Sequence, residues 1–175
     1  SIGIDCGVTH PFVTSEGDMH HLPGFTKGEQ TRLYKLQRKL ARQDKGSKSR
    51  EITKRSMASL RHREIDRHKD VIEKLTTNLA RNYDQIMIED LKISNMTRSA
   101  KGTLTEPGKN VAQKTGLNRA ILNSGWGLFA QRLEHKAAGR VTRVSPAYTS
   151  QTCNACRNAC RKNRESQAIF HCRNC

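Results

Sequence analysis

The chain has 175 residues, 34% of them hydrophobic, and carries 32 Lys and Arg residues against 16 acidic ones. A membrane-spanning protein is excluded, because no apolar run approaches the roughly 18 residues that a membrane helix needs. The net charge of +16 and the pI near 10.1 favour a polyanionic partner, and nucleic acid is the first candidate. Of the 32 basic residues, 17 lie within residues 27–81 beside seven acidic ones, so this segment is the predicted binding surface.

The first 81 residues divide into a strand-rich part and a helix-rich part. Residues 1–25 contain apolar and β-branched residues broken by tight turns, which predicts three short antiparallel strands. From residue 27 the apolar spacing changes to steps of three and four, which predicts an extended helical hairpin with basic outer faces over residues 27–81. Its predicted apolar stripes comprise Leu33, Leu36 and Leu40 in the first helix and Ile65, His68, Ile72, Leu75 and Leu79 in the second.

The second half of the chain alternates strands with helices. The run from Ile86 to Ile88 predicts a buried strand beside the first three, residues 92–115 are predicted to form a loop, and residues 141–144 one more strand. This alternation implies parallel crossovers, so the predicted fold class is α/β with a mixed sheet and flanking helices. A helix before the last strand is predicted to bury a face made of Leu122, Trp126, Phe129, Leu133 and Ala137.

Two cysteine pairs near the end of the chain carry the strongest chemical signal. Cys153 and Cys156 form one C-x-x-C pair, Cys172 and Cys175 form the other, and 15 residues separate the pairs. Each pair can direct two thiolates at one point, and together they complete the tetrahedral sulfur shell that Zn²⁺ prefers, which predicts a structural zinc ribbon. Two disulfides or chance remain alternatives, although disulfides are typical of secreted chains and no signal peptide begins this one. Cys6 and Cys160 lie outside the pairs and are interpreted as isolated thiols.

Two carboxylates at predicted strand positions are candidate magnesium ligands. Asp5 lies in the strand Ile2 to Val8, and Glu89 ends the strand at Ile88. Burying a bare carboxylate is unfavourable, so acids among buried apolar neighbours need a cation or hydrogen bonds. Adjacent strands could hold Mg²⁺ between them, with room left for water and phosphate, as phosphodiester cleavage requires.

Asp90 follows Glu89 directly. Neighbouring residues of a strand point to opposite faces, so only one of these two acids can share a site with Asp5. Asp90 is interpreted as a capping or turn residue.

The motifs and their order resemble a known family, the RuvC-like nuclease half of the TnpB (OrfB) proteins of insertion sequences, relatives of the type V CRISPR effectors. The resemblance covers nearly the whole chain. It rests on Ile2-Gly-Ile-Asp-Cys-Gly-Val8, Ile86-Met-Ile-Glu-Asp-Leu91, Asn123-Ser-Gly-Trp-Gly-Leu-Phe129, Thr149-Ser-Gln-Thr-Cys-Asn-Ala-Cys156, Asn163-Arg-Glu-Ser-Gln-Ala-Ile-Phe170 and Cys172-Arg-Asn-Cys175.

This resemblance implies an RNase H-like (RuvC-like) domain over residues 1–148 and a zinc ribbon over residues 149–175. It implies Mg²⁺-dependent, RNA-guided DNA cleavage. It also implies that Asp5 and Glu89 are the first two catalytic carboxylates. The family's third catalytic Asp normally follows the second cysteine pair, so it has no counterpart up to Cys175, and the fragment alone is expected to be inactive. The chain begins without Met inside a predicted strand, so a piece of a longer protein is expected. Arg157 stands where the family often has Gly.

The implied partners are a guide RNA and the target DNA, in the cytoplasm of a prokaryote at the nucleoid, with no membrane. Two alternatives remain open: a nuclease-inactive RNA-guided DNA-binding protein or repressor, and a compact type V CRISPR effector. Retention of Asp5 and Glu89 favours the nuclease, because a repressor has no chemical need for them. The predicted nucleic-acid contacts, as a group on the basic hairpin, are Arg38, Lys39, Arg42, Lys45 and Lys48.

Overall fold

In the computed structural model, which describes residues 1–166 and 169–175, five short strands form one mixed sheet in the order β3-β2-β1-β4-β5. The first three strands pair antiparallel, as predicted, and the last two run parallel to β1. The mixed α/β architecture is therefore confirmed. The strands are β1 (Ile2–Asp5), β2 (Phe12–Thr14), β3 (Met19–His20), β4 (Ile86–Glu89) and β5 (Val141–Val144).

The predicted helical hairpin is formed by α1 (Lys27–Ala41) and α2 (Lys48–Asn82). Thr26 begins α1 with a capping box in which its side chain accepts from the backbone N–H of Glu29 and the Glu29 carboxylate accepts in return. The same carboxylate receives two hydrogen bonds from the Arg67 guanidinium at 2.9 and 3.1 Å, which ties the start of α1 to the middle of α2. At 35 residues, α2 is about 52 Å long.

The two ends of α2 pack differently. Ile72, Leu75 and Leu79 are buried in the core between the sheet and a later helix, whereas Leu60 is buried outside that core cluster. We call α1 and residues 48–66 of α2 the arm. The predicted stripe is therefore correct only in part: Ile65 lies on the arm, is 44% exposed and lines an open groove with Leu40 of α1.

The prediction of a loop over residues 92–115 is wrong in part. A short helix, α3 (Ile93–Met96), follows β4, and α4 (Val111–Asn123) begins inside the predicted loop. The side chain of Lys114 donates to the carbonyl of Met96 and so joins the two helices. Tertiary contacts thus order a polar tract that has no apolar pattern of its own.

The predicted helix before β5 is two helices, α4 and α5 (Trp126–Lys136), separated at Gly125. Gly125 has φ of +72°, and a Cβ there would lie 2.8 Å from the side chain of Ile72, so both backbone conformation and packing require glycine. Because the chain turns here, Leu122 is 63% exposed, against the prediction, while Trp126 and Phe129 are buried in the core as predicted.

The last segment contains two short 3₁₀ turns, Thr149–Gln151 and Arg161–Asn163, and the two cysteine pairs. Gln167 and Ala168, which belong to one of the motifs quoted above, lie outside the described residues. Among the helices that the structure describes, none is long and apolar enough to cross a membrane.

Candidate functional site

Asp5 and Glu89 end two neighbouring parallel strands at the same edge of the sheet. In the register of β1 and β4, Ile4 lies opposite Ile88, so the next residue of each strand places Asp5 beside Glu89. Both isoleucines are buried, and successive side chains of a strand point to opposite faces. The two acids therefore share the outer face, where Asp5 is exposed, Glu89 is half-buried and Met87 is 37% exposed.

The charge of Asp5 affects the pKa of Glu89. Partial burial raises the pKa of the Glu89 carboxyl above its ordinary value, the charge of Asp5 raises it further, and a hydrogen bond from the backbone of Cys6 opposes both. Among the described residues, neither Asp5 nor Glu89 forms an ion pair. A cation on this face would relieve the repulsion between the two carboxylates.

Cys6 is a neighbour of the acid pair rather than an isolated thiol. Burial raises the pKa of its thiol to about 12, and the charges of Glu89 and Asp5 contribute to the increase. The raised pKa disfavours the thiolate, which is the nucleophilic form of cysteine. Its position directly after Asp5 in the sequence is the signal that could have placed it here.

Asp90 takes no part in this face. Its carboxylate forms ion pairs with Lys92 at 2.7 Å and Arg143 at 3.4 Å, and these contacts, led by Lys92, lower the pKa of Asp90. Asp90 therefore makes ion pairs directly after the strand, and its interpretation as a capping or turn residue stays a prediction.

A small cavity lies behind Glu89, lined mainly by apolar side chains that include Ile88, Trp126 and Phe129. Its volume is about 70 Å³, room for a few water molecules, whereas pockets for small organic substrates run to about 300 Å³ and above. The cavity is therefore too small for an organic substrate of that size.

The four predicted cysteine ligands come together in one cluster. The Sγ atoms of Cys153 and Cys175 are 3.7 Å apart, those of Cys156 and Cys172 are 3.5 Å apart, and all four lie within 4.8 Å of one another. These distances rule out disulfides, whose sulfurs are about 2.05 Å apart. A tetrahedron of Zn–S bonds of about 2.3 Å has edges of about 3.8 Å, so the donor set fits zinc. Cys160 lies outside the cluster, as predicted.

The backbone of the ribbon is shaped around this cluster. Arg157 adopts φ of +59°, the left-handed conformation that glycine favours, and its N–H donates to the carbonyl of Cys153 at 2.9 Å. The backbone N–H of Asn158 lowers the pKa of Cys156 to about 6, so this turn favours a thiolate. The departure from Gly at position 157 is thus accommodated without opening the turn.

Asn163 joins the two cysteine turns and was missed by the sequence analysis. It is fully buried, its amide donates to the carbonyls of Gln151 and Asn158 at 2.9 and 3.1 Å, and its Oδ1 accepts from the N–H of Arg173 at 2.9 Å. These partners are distant in sequence and follow no periodic pattern. The one signal was its place at the start of a motif quoted above, since Asn158 also lies between the two cysteine pairs.

The predicted nucleic-acid contacts lie together at the far end of the arm. They occupy the last part of α1, the turn after it and the first residue of α2, and all are exposed. In the described part of the chain none of their side chains has a hydrogen-bond or ion-pair partner, so their charges are available to a ligand. Binding itself stays a prediction. The residues are Arg38, Lys39, Arg42, Lys45 and Lys48.

Fold and site together define an α/β protein with two candidate metal centres, one made of carboxylates and one of cysteines. Residues 1–100 match the family model OrfB_IS605, described as "Probable transposase", and residues 126–175 match the TNB domain of Cas12f1-like proteins. The chain belongs to the OrfB_IS605 family of TnpB-like proteins.

Three curated proteins extend this comparison. InsQ of Escherichia coli (strain K12), whose name describes a proposed RNA-guided DNA endonuclease, is 39% identical over 174 residues, 98% of this chain and 43% of InsQ. A proposed RNA-guided DNA endonuclease of Streptomyces pristinaespiralis is 31% identical over 160 residues, 89% of this chain and 36% of that protein. Cas12m of Allomeiothermus silvanus, named as a CRISPR-associated DNA-binding protein, is 27% identical over 123 residues, 67% of this chain and 21% of Cas12m. The chain thus spans less than half the length of each relative.

Proposed function

We propose that residues 1–148 form the RuvC-like, RNase H-like nuclease domain of an RNA-guided DNA endonuclease and that residues 149–175 form its structural zinc ribbon. The observation that carries the proposal is the pair of carboxylates, Asp5 and Glu89, side by side on parallel strands at the outer face of the sheet. The names of two relatives, which describe RNA-guided DNA endonucleases, indicate the reaction class.

Asp5 and Glu89 would hold Mg²⁺, which prefers carboxylate oxygens and keeps several sites for water and phosphate. When bound, the ion would polarise the phosphodiester and activate a water. The contribution of the protein is to hold two unneutralised carboxylates on a rigid sheet, so that little rearrangement is needed when the ion and DNA arrive.

The basic arm would hold nucleic-acid phosphates, while pairing between a guide RNA and the target DNA would supply sequence specificity. A protein that acts on DNA in this way would work at the nucleoid of a prokaryotic cell.

The test is cleavage of a plasmid that carries a guide-matched target, by the whole protein with its co-purified RNA, in Mg²⁺ and in EDTA. We expect Asp5→Asn and Glu89→Gln each to reduce the cutting rate roughly 100-fold or more, as expected when a group that stabilises transition-state charge is removed. Guided binding of the target should be retained, because neither residue lies on the arm.

Asp90→Asn is the matched control, since it removes the same charge from a neighbouring residue on the other face of the strand. Its cutting rate should stay within a few-fold of the unchanged protein. Equal losses in Asp5→Asn and Asp90→Asn, or unchanged cutting by Asp5→Asn, would contradict the carboxylate assignment.

A second candidate is an RNA-guided DNA-binding protein that does not cut. The similarity to Cas12m, named as a DNA-binding protein, favours this alternative, and the similarity to the TNB domain of Cas12f1-like proteins favours a compact CRISPR effector. Guide-dependent binding without cutting by the unchanged protein in Mg²⁺ would establish the binding-only function.

A further inference from the structure

A groove with three arginines lies on one side of the arm, between α1 and α2. Its volume is about 260 Å³, and its walls include Arg32 from α1 and both Arg55 and Arg63 from α2. Within the described residues, none of the three guanidinium groups has a hydrogen-bond or ion-pair partner. Three like charges around one groove repel one another, and an anion between them would remove that repulsion.

The floor of the groove leaves space for such an anion. Leu60, which is buried, and the small side chains of Ser56 and Ser59 line it. Ser59 lies four residues from both Arg55 and Arg63, so the two arginines flank a small residue one helical turn away on either side. The arginines are about 12 Å apart along the helix axis.

The groove continues into the basic residues predicted from the sequence. On α2, Lys48 lies seven residues before Arg55, and on α1, Lys39 lies seven residues after Arg32. Seven residues are close to two helical turns, so each pair lies on the same side of its helix. Together these residues and Arg63 form what we call the basic row, about 22 Å long from Lys48 to Arg63.

We propose that the basic row binds the phosphate backbone of a nucleic-acid double helix. The planar fork of arginine matches phosphate oxygens and can donate two parallel hydrogen bonds to them. No aromatic side chain is among the described residues that line the groove, so it has no platform on which an unpaired base could stack, as single-strand-binding surfaces have. The exposed aromatic residue of α1, Tyr34, lines a different groove.

A surface that contacts phosphates and offers nothing to bases suits a duplex, whose bases are stacked inside. The inference takes nucleic acid as the partner and so rests on the proposed function. It adds which side of the arm is occupied, which residues hold the strand and that the strand is paired.

The test compares two double variants of α2 that remove the same charge from opposite sides of the arm. Arg55→Gln with Arg63→Gln removes two members of the basic row, whereas Lys54→Gln with Arg61→Gln removes two basic residues from the groove on the other side. Binding is measured in the Asp5→Asn form, so that cutting is not required. The probes are an RNA–DNA hybrid of about 20 base pairs and each of its single strands.

Affinities are measured between about 50 and 200 mM salt, because removing one phosphate-binding side chain should reduce the slope of log affinity against log salt by about 1. The basic-row variant is expected to bind the hybrid about tenfold more weakly, with a slope smaller by about 2. The opposite-side variant is expected to change affinity less than about twofold. All four residues are exposed, and the one ion pair that is lost, between Lys54 and Glu51, is itself exposed, so both variants should melt close to the parent.

Equal losses of affinity in the two variants would overturn the proposal, because only net charge would then matter. An unchanged slope in the basic-row variant would overturn it as well, and so would a fall in affinity for the single strands as large as that for the hybrid. If the unchanged protein never cuts DNA but the basic-row variant behaves as expected, the nuclease proposal fails and this one stands. If the unchanged protein cuts DNA under guide control but the salt slope of the basic-row variant is unaltered, the nuclease proposal stands and only the basic-row proposal fails.

Discussion

The two candidate metal centres of this chain are held in place in different ways. Asp5 and Glu89 extend from strands whose inner face packs on an apolar core that includes Phe129 and Leu133. The cysteine cluster lies in a segment where, among the described residues 149–166 and 169–175, the buried side chains are those of Cys153 and Asn163.

This difference indicates which of the two sites needs a metal ion in order to fold. Apolar burial contributes roughly 25 cal/mol per Å², so the sheet can hold its carboxylates side by side without a metal. Among its described residues the ribbon buries one thiol and one amide and no larger apolar side chain, and segments of this size usually need a metal or disulfides to fold. We therefore expect the carboxylate pair to be formed without a metal, whereas the cysteine turns are expected to fold only together with an ion.

Loss of the metal from the cysteine cluster should have the largest effect. Cys172→Ser is expected to release zinc and unfold the ribbon while the sheet persists, because metal binding supplies an apparent free energy of roughly 10–16 kcal/mol in small zinc domains. Elemental analysis measures the zinc, and amide hydrogen exchange resolved by segment measures the folding of each region.

Cys160→Ser is the control for this change, since Cys160 lies outside the cluster and its removal should leave zinc content unaltered. Protected ribbon amides in a zinc-free protein would contradict the proposed difference between the sheet and the ribbon, because the ribbon would then fold without its ion.

Removing the amide of Asn163 should weaken the ribbon less than removing a ligand. Asn163→Ala leaves two carbonyls and one backbone N–H without their partner, at a cost of roughly 1–3 kcal/mol. Because folding and zinc binding are coupled there, zinc affinity should fall about tenfold to 100-fold, as measured by competition with a chelator.

Asn154→Ala offers a matched control, because Asn154 is exposed and its side chain has no hydrogen bond among the described residues. It should keep the parent affinity. An Asn163→Ala protein with unchanged zinc affinity would show that the cysteine turns are held by the ion alone.

The same contrast explains how much of the molecule could be predicted from sequence. The strands that carry Asp5 and Glu89 have a local apolar pattern, and the cysteine pairs have a spacing that chemistry fixes, so both were predictable. Local signals of this kind give the elements and the ligands. Whether the carboxylates act in catalysis stays a prediction.

What could not be predicted depends on contacts between distant parts of the chain. Gly125 separates α4 from α5 because Ile72, 53 positions earlier in the sequence, leaves no space for a side chain there. Asn163 bridges turns that lie apart in sequence, and Ile65 is exposed because the arm leaves the core before reaching it. The apolar periodicity of the neighbouring residues predicts none of these outcomes.

The smallest expected effect concerns an ion pair of the sheet region. The Glu73 carboxylate on α2 pairs with Arg132 and, at 2.6 Å, with Lys136, both on α5, and these contacts, led by Arg132, lower the pKa of Glu73 from 4.5 to about 2. A lowered folded-state pKa stabilises the fold at pH above 4.5 and loses its contribution as the pH falls towards 2. Urea unfolding should therefore show Glu73→Gln to be less stable than the parent at pH 7, with the difference shrinking through this window.

Asp70→Asn, which removes an exposed pair within α2, should show a smaller difference at pH 7. A Glu73→Gln deficit that persists unchanged at pH 3 would mean that the side chain stabilises α2 against α5 by packing rather than by charge.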